Sequence, residues 1–215
     1  MSLPSSMDYT KILPIAAGNP RAMRRTFQPV NGTSFTATGN NIIRIELAAN
    51  QFWDAKHSYL RMKITMNNAA GDDVGLDKGG LHSLVRRLRV EQAGSVLMDV
   101  NRYDRLLSAI LLPCQSNLSV QGDRSITEGQ RYANTGTQGN LNQVLGAPTG
   151  AVLASQHNTQ TQIDNAGSFI LSAPLVGGLF SQDKLVPLQL LSSSPLTIEI
   201  ELSPPEEIGI VAAGG

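Results

Sequence analysis

The chain is poor in three residue classes, and each shortage excludes a kind of protein. Cys114 is its only cysteine, which excludes an intramolecular disulfide and a thiolate metal cluster. Aromatic residues make up 5% of the 215 residues, too few for the stacking surfaces of a typical sugar-binding module. The 17 basic and 17 acidic side chains cancel, so no overall field draws the chain to nucleic acid or anionic lipid.

Long apolar segments are missing as well. Nowhere do about 18 apolar residues follow one another, as a membrane-spanning helix would require. The N-terminal stretch MSLPSSMDYTKILPIAAG has no basic region followed by an unbroken apolar run. We therefore expect neither a membrane span nor a secretion signal.

Residue patterns that carry chemistry are also lacking. His57, His82 and His157 lie far apart, and none has a second ligand at metal-binding spacing, so each is predicted to be a surface or structural residue. The chain contains no GxSxG, GxGxxG or GxxxxGK[ST] motif. Cys114 has no neighbouring histidine, which predicts a buried, inert thiol. We expect no enzyme activity, no cofactor and no bound metal.

What the chain does contain is alternation of apolar and polar residues. In Leu84 to Glu91, Leu84, Leu88 and Val90 alternate with Arg87 and Arg89, which predicts a half-buried strand in which Arg86 is a misfit. The dipeptide Ala93-Gly94 then predicts a tight turn into a second strand from Ser95 to Val100.

After this hairpin the apolar period changes from two to 3.6 residues, which predicts an amphipathic helix. Its first turn would be capped by Asp99 or Asn101, and Pro113 would end it. The predicted apolar face contains Tyr103, Leu106, Leu107, Ile110 and Leu111.

The same alternation predicts further strands, while Phe52 and Trp53 are expected to cover one end of the core. Strict alternation favours antiparallel strands with one solvated face, and therefore an all-β domain. A short helix or turn is predicted around Pro187. The predicted strands are Asn41 to Ala49, Tyr59 to Met66, Ser168 to Ala173 and Leu196 to Leu202.

The remaining segments are predicted to be arms and loops. Residues 1–26, with Arg21, Arg24 and Arg25, have the composition of an extended arm that reaches a neighbour or of a solvated terminus. The polar loop from Asn67 to Gly80 contains Asp72, Asp73 and Asp77, for which a solvated turn is favoured over a calcium site. Residues 115–167 form a long polar loop, either a contact surface or a mobile insertion. Residues 204–215 are predicted to be a linker or tail.

In this order, four segments carry a resemblance to a known family: FQPVNGTSF, NNIIRIELAANQFWDAKHSYLRMKITM, GGLHSLVRRLRVEQAGSVLMDVNRYDRLLSAILL and GGLFSQDKLVPLQLLSSSPLTIEIEL. Together they resemble the first jelly roll of the double jelly-roll major capsid proteins, and most of all those of polinton-like viruses and virophages. The resemblance implies an antiparallel eight-stranded jelly-roll sandwich over residues 27–203. The family carries a second jelly roll, so the chain is expected to be a fragment, a cleaved product or a one-roll relative.

The resemblance also implies a function and partners. It implies a structural protein of the virion that forms trimers of pseudo-hexagonal outline and assembles with penton or minor capsid proteins into an icosahedral shell. Arg21, Arg24, Arg25, Arg87 and Arg89 are the predicted contacts to neighbouring subunits or to the inner shell, where packaged DNA or an internal membrane would lie. The alternative is a non-catalytic carbohydrate-binding or host-attachment jelly roll. A cupin-like enzyme is disfavoured because clustered His and Glu ligands are missing.

Overall fold

A computed structural model of the chain describes residues 22–65, 74–76, 79–111, 114, 124, 127–130, 162–163 and 168–211. Within these residues no helix is long and apolar enough to cross a membrane. The strands in chain order are β1 (Ile42–Leu47), β2 (Phe52–Trp53), β3 (Tyr59–Thr65), β4 (Val74–Leu76), β5 (Val85–Gln92), β6 (Ser95–Asn101), β7 (Gln162–Ile163), β8 (Ser168–Pro174), β9 (Val186–Pro187), β10 (Leu196–Leu202) and β11 (Gly209–Val211).

Helical structure is short. The α-helical turns whose full extent the structure describes are α1 (Tyr103–Arg105) and α2 (Pro205–Ile208), and α1 continues as a π-helix over Leu106–Leu111. The 3-10 turns are Gly80–Leu84, Gly178–Ser181 and Leu188–Leu191. The predicted all-β class is confirmed.

One layer of the fold is an antiparallel four-stranded sheet in the order β1-β10-β5-β6. Alternation along each strand sends apolar residues inward, where Ile43 faces Ile200 and Ile200 faces Leu88. These three side chains are buried, and each contributes about 1.5–3 kcal/mol through loss of apolar surface from water. The predicted strand over Leu196–Leu202 is confirmed at both ends.

The second layer contains the antiparallel pair β3–β8, in which Leu60 faces Ala173 and Met62 faces Leu171. Leu60 and Met62 pack on the same core as Ile43 and Ile200. The inner faces of the two layers therefore meet, and their outer faces point away from each other, as in a jelly-roll sandwich.

The misfit Arg86 has a structural explanation. Glu201 faces Arg87 and Leu202 faces Val85, so Arg86 is an extra residue in β5, a β-bulge. The bulge lets Val85 and Leu88 both point inward, although they are three residues apart. The guanidinium of Arg86 lies on the surface, with Nη1 4.0 Å from Oε1 of Glu201.

The predicted hairpin is confirmed. Ala93 and Gly94 have φ values of 50° and 80°, and two consecutive positive φ angles make the type I′ turn that suits the twist of paired strands. β6 then pairs with β5 over Arg87 to Gln92.

The predicted helix forms, but its cap and its buried face differ from the prediction. The N-cap is Arg102, in the left-handed region at φ 56°, and no side chain caps the helix. Asp104 and Ser108 are buried, whereas Ile110 is 59% exposed. From Leu106 onward the π-helix explains the changed buried face, because its wider turn does not keep the 3.6-residue period on which the prediction depended.

Structure also occurs where loops were predicted. β4 lies within the predicted loop from Asn67 to Gly80, and it pairs with both β7 and β11. Residues 205–211, placed in the predicted linker or tail, form α2 and β11, and Ile208 is buried. Asp72, Asp73 and Asp77 lie outside the described residues, as do the predicted loop's residues 131–161.

A small part of the predicted polar loop, residues 115–167, is buried. Glu128, Gly129 and Gln130 pack against the 3-10 turn that begins at Gly80, and the amide of Leu81 donates to the carbonyl oxygen of Glu128 at 2.7 Å.

Two predictions about burial are wrong: Cys114, predicted to be buried, is exposed. Phe52, predicted to cover the core, is 60% exposed, whereas Trp53 packs edge-on against Phe180 at 5.9 Å.

Candidate interaction surface

On the outer side of the four-stranded sheet, charged side chains of neighbouring strands lie next to one another. We call this surface the charged sheet face. It consists of Arg44 and Glu46 on β1, Glu199 and Glu201 on β10, Arg86, Arg87, Arg89 and Glu91 on β5, and Asp99 on β6. The alternation of apolar and charged residues along each strand produces the charged sheet face, because every second residue of a strand points outward.

One row alternates in sign across all four strands. Arg44 faces Glu199, Glu199 faces Arg89, and Arg89 faces Asp99. Nε of Arg44 donates to Oε2 of Glu199 at 2.9 Å, and Nη1 of Arg89 lies 3.9 Å from Oε1 of the same carboxylate. The Glu199 side chain is only 12% exposed, because the two arginines cover it.

Arg87 and Asp99 form a diagonal ion pair with two parallel hydrogen bonds. Nε of Arg87 donates to Oδ1 at 2.8 Å, and Nη2 donates to Oδ2. The hydrogen bonds from Arg87 are the main cause that lowers the pKa of the Asp99 carboxyl, and the same contact raises the pKa of Arg87. Arg89 in turn pairs with Glu91 at 3.0 Å.

The predicted contact residues Arg87 and Arg89 therefore lie close together and are already paired within the chain. A charged group from a neighbour would have to join or replace these pairs. Because the pairs are partly exposed, each contributes little to stability, and the network is weakened by salt. Contact of Arg87 and Arg89 with another subunit stays a prediction.

The arm arginines are placed differently. Arg21 lies outside the described residues, while Arg24 and Arg25 are exposed, with the Arg25 guanidinium 5.3 Å from the centre of the Phe27 ring. Within the described part of the chain, no ion pair joins Arg24 or Arg25 to the charged sheet face.

The chain just after the arm is held to the edge of β1. The amide of Val30 donates to the carbonyl oxygen of Arg44 at 2.8 Å, and Pro29 forms a bridge with Ile45. Asn31 adds two bonds: its Nδ2 donates to the carbonyl oxygen of Ile42, and its Oδ1 accepts from the amide of Arg44. This segment covers the β1 edge, which protects an otherwise open row of backbone groups.

The described histidines lie in two unrelated places. The exposed His57 contacts Asp54 at 2.8 Å, whereas Nε2 of the buried His82 lies 3.4 Å from Oε2 of Glu128. Among the residues that the structure describes, no three His, Cys, Asp or Glu side chains are grouped to hold a metal ion.

The sequence reasoning missed a second charged surface, on the outer side of β3 and β8. Arg61 and Lys63 project there beside the exposed side chains of Tyr59 and Ile170. The signal was present, because Tyr59, Arg61, Lys63 and Thr65 form the polar side of the predicted third strand. The sequence pattern of β3 does not show, however, whether Arg61 and Lys63 have carboxylate neighbours, because that depends on the strand with which β3 pairs.

Comparison with known proteins identifies the fold. No protein-family model matches the chain. No curated protein matches it either. Among solved structures, the crystal structure of the mavirus major capsid protein aligns with a TM-score of 0.51 and 13% identity, over 99% of this chain and 46% of that one. PBCV-1 VP54, fitted into a reconstruction of the virophage Sputnik, aligns with a TM-score of 0.44 and 10% identity, over 91% of this chain and 41% of that one.

The chain spans less than half the length of the mavirus protein that it matches. The alignment includes nearly all of this chain, and the antiparallel layers described above account for it. This chain therefore shares the jelly-roll fold of the mavirus major capsid protein.

Proposed function

We propose that the chain is the first jelly roll of a viral major capsid protein and that it assembles with copies of itself into an icosahedral virion shell. The observation that carries the proposal is the fold, shared with the mavirus major capsid protein over 99% of this chain. The chain corresponds to 46% of that protein, as expected for one of two jelly rolls. The proposed role is structural, without catalysis, cofactor or metal.

The surface of the sandwich supports this role. Its charged sheet face is nearly neutral, most of its charges are paired within the face, and its β1 edge is covered by residues 29–31. A subunit of a shell has to remain soluble before assembly and then form many modest, partly polar contacts. A paired polar face and a protected strand edge fulfil both requirements.

The proposed partners follow from the same role. They are two further copies in a trimer of pseudo-hexagonal outline, together with penton or minor capsid proteins. We also propose that the arm, residues 1–26, lies across a neighbouring subunit or the inner face of the shell, where packaged DNA or an internal membrane offers negative charge. The exposure of Arg24 and Arg25 supports this placement.

Assembly is the direct test. The purified chain is examined by native mass spectrometry and by negative-stain electron microscopy over a range of concentration and salt. Trimers, sheets of hexagonal outline or closed particles are expected. A chain that stays monomeric and binds a glycan on an array would instead favour the attachment module.

The arm is tested by deletion of residues 1–26. Phe27 packs on the core and Pro29 bridges to Ile45, so the deletion leaves these contacts intact, and the melting temperature should not change. Particle formation should be lost. The matched control keeps the arm but replaces Arg21, Arg24 and Arg25 by glutamine, and it should weaken assembly at low salt, where exposed charges act most strongly. Normal particles from the deletion variant would contradict the arm's role.

A further inference from the structure

The two outer faces of the sandwich differ in their balance of charge. The charged sheet face carries four arginines and five carboxylates, an excess of one negative charge. The outer face of β3 and β8, which we call the basic face, carries two cations and no carboxylate. It consists of Tyr59, Arg61, Lys63, Thr65, Ser168, Ile170 and Ser172.

In the part of the chain that the structure describes, the cations of the basic face have no ionic partners. Within the described residues neither Arg61 nor Lys63 forms an ion pair, because the residues opposite them on β8 are Ser172 and Ile170. This contrasts with Arg44, Arg87 and Arg89, each of which has a carboxylate on a neighbouring strand or on its own strand.

Apolar surface accompanies these cations. Ile170 is 51% exposed and Tyr59 is 56% exposed, although both lie on regular strands of a sheet. Tyrosine and arginine next to apolar side chains are typical of the buried centres of protein interfaces. The basic face thus combines exposed apolar area with charge that has no partner among the residues that the structure describes.

We propose that the basic face is a docking surface for the charged sheet face of a second copy of this chain. The inference rests on the proposed capsid function and specifies which two surfaces meet. The contact has to be heterologous, since two basic faces would bring Arg61 and Lys63 against like charges. Glu46 is the natural partner on the other copy, because it is exposed and has no ion pair among the described residues.

A protein partner suits this face better than nucleic acid. Two cations would neutralise few phosphates, and affinity for a polyanion rises with the number of phosphates neutralised. Phosphate contacts would also leave the exposed parts of Ile170 and Tyr59 without apolar partners, whereas a sheet face of another copy offers both carboxylates and apolar side chains such as Val96, which is 48% exposed.

Sedimentation velocity on the whole chain tests the proposal. The variant Arg61→Glu/Lys63→Glu should associate at least about tenfold more weakly than the wild type, since both charges of the contact become repulsive. Adding Glu46→Lys to this variant should restore part of the affinity. Lys184→Glu is the control, because Lys184 is exposed and lies on neither β3 nor β8, and it should leave association within about twofold of wild type.

Any of the following results would contradict the proposed contact between the basic face and the charged sheet face. Equal association of wild type and Arg61→Glu/Lys63→Glu, or an equal loss in Lys184→Glu, would show that the basic face is not the contact. Retention of a DNA duplex at physiological salt that disappears in the double variant, with self-association unchanged, would identify a polyanion as the occupant. Particles that form normally from the double variant would refute this contact and leave the capsid function standing, whereas a wild-type chain that never associates would refute both.

Discussion

The hydroxyl oxygen of Tyr103 accepts a hydrogen bond of 2.9 Å from the backbone amide of Val176. Tyr103 begins the helix that follows the β5–β6 hairpin, and Val176 follows β8, so this bond joins the two layers of the sandwich. Its side chain is fully buried, with the ring 5.9 Å from that of His82. The Tyr103 side chain thus supplies both apolar packing and the acceptor for a part-buried backbone amide.

We expect Tyr103→Phe to destabilise the fold by about 1–3 kcal/mol, because the packing remains while the amide of Val176 loses its acceptor. Urea unfolding followed by circular dichroism measures the loss. Tyr59→Phe is the matched control and should change stability by less than about 0.5 kcal/mol, since Tyr59 is 56% exposed. Equal effects of the two substitutions would contradict the role of the hydrogen bond.

Stability should also fall at alkaline pH because of the same residue. Burial raises the pKa of Tyr103 to about 12, above its ordinary value of 10.0, so the folded state holds the phenol proton more tightly than the unfolded state. The protonated phenol therefore adds about 2–3 kcal/mol to the free energy of unfolding at a pH below its unfolded pKa. This stabilisation is lost as pH rises from about 10 to 12. The stability difference between wild type and Tyr103→Phe should therefore shrink over this range. A difference that stays constant with pH would contradict it.

Substitutions on β1 and β10 should distinguish the inner face of the four-stranded sheet from its outer face. Ile200→Asp places a carboxylate at a fully buried position among Ile43 and Leu88 and should cost several kcal/mol, about 4 or more. Glu46→Gln, on the outer face of β1 without an ion pair in the described residues, should be almost neutral. Thermal unfolding of both variants is the measurement.

Glu199→Gln is expected to fall between these variants. The alternating pattern alone predicts a neutral substitution, but Glu199 is 12% exposed and contacts both Arg44 and Arg89. The substitution replaces one acceptor oxygen by an NH2 donor and removes the negative charge between the two arginines, which should cost about 1–2 kcal/mol. A cost as large as that of Ile200→Asp would mean that the faces are assigned wrongly.

Two glycines with positive φ should respond differently to alanine. Gly80 has φ 58°, and a Cβ there would overlap the carbonyl oxygen of Glu128, which accepts from the amide of Leu81. Gly94 has φ 80°, and no atom lies within 4 Å of the position of its Cβ. Gly94→Ala should cost about 1 kcal/mol through backbone strain alone, and Gly80→Ala at least twice as much.

Hydrogen exchange distinguishes the two effects. Gly80→Ala should increase exchange at the amide of Leu81, because the segment around Glu128 is displaced from the 3-10 turn. Gly94→Ala should leave exchange there unchanged. Equal stability losses in both variants, with protection retained at Leu81, would show that the close approach at Gly80 is not important.

Local sequence determined the regular strands. Alternation over Leu196–Leu202 and the Ala93-Gly94 turn predict β10 and the β5–β6 hairpin, since the side-chain period of a strand and the φ preference of a turn are properties of neighbouring residues. The resemblance of the ordered segments likewise predicts the jelly roll that the comparison with the mavirus protein confirms.

Contacts between residues distant in sequence could not be predicted from local patterns and are seen only in the tertiary structure. The small sheet combines residues 74–76, 162–163 and 209–211, and each piece is too short to show a period of its own. Burial of Glu128 and exposure of Cys114 depend on what packs above them, which composition does not record.

The clearest example is the state of the arginines. Arg61 on β3 and Arg89 on β5 both alternate with apolar residues, and their local patterns do not distinguish them. The sheet order places Glu199 and Asp99 beside Arg89 but Ser172 beside Arg61. An ion pair requires a carboxylate within about 4 Å of the cation, and strand pairing determines which residues come that close. Only the tertiary structure therefore decides which arginine has an ion pair and which is available to a neighbouring molecule.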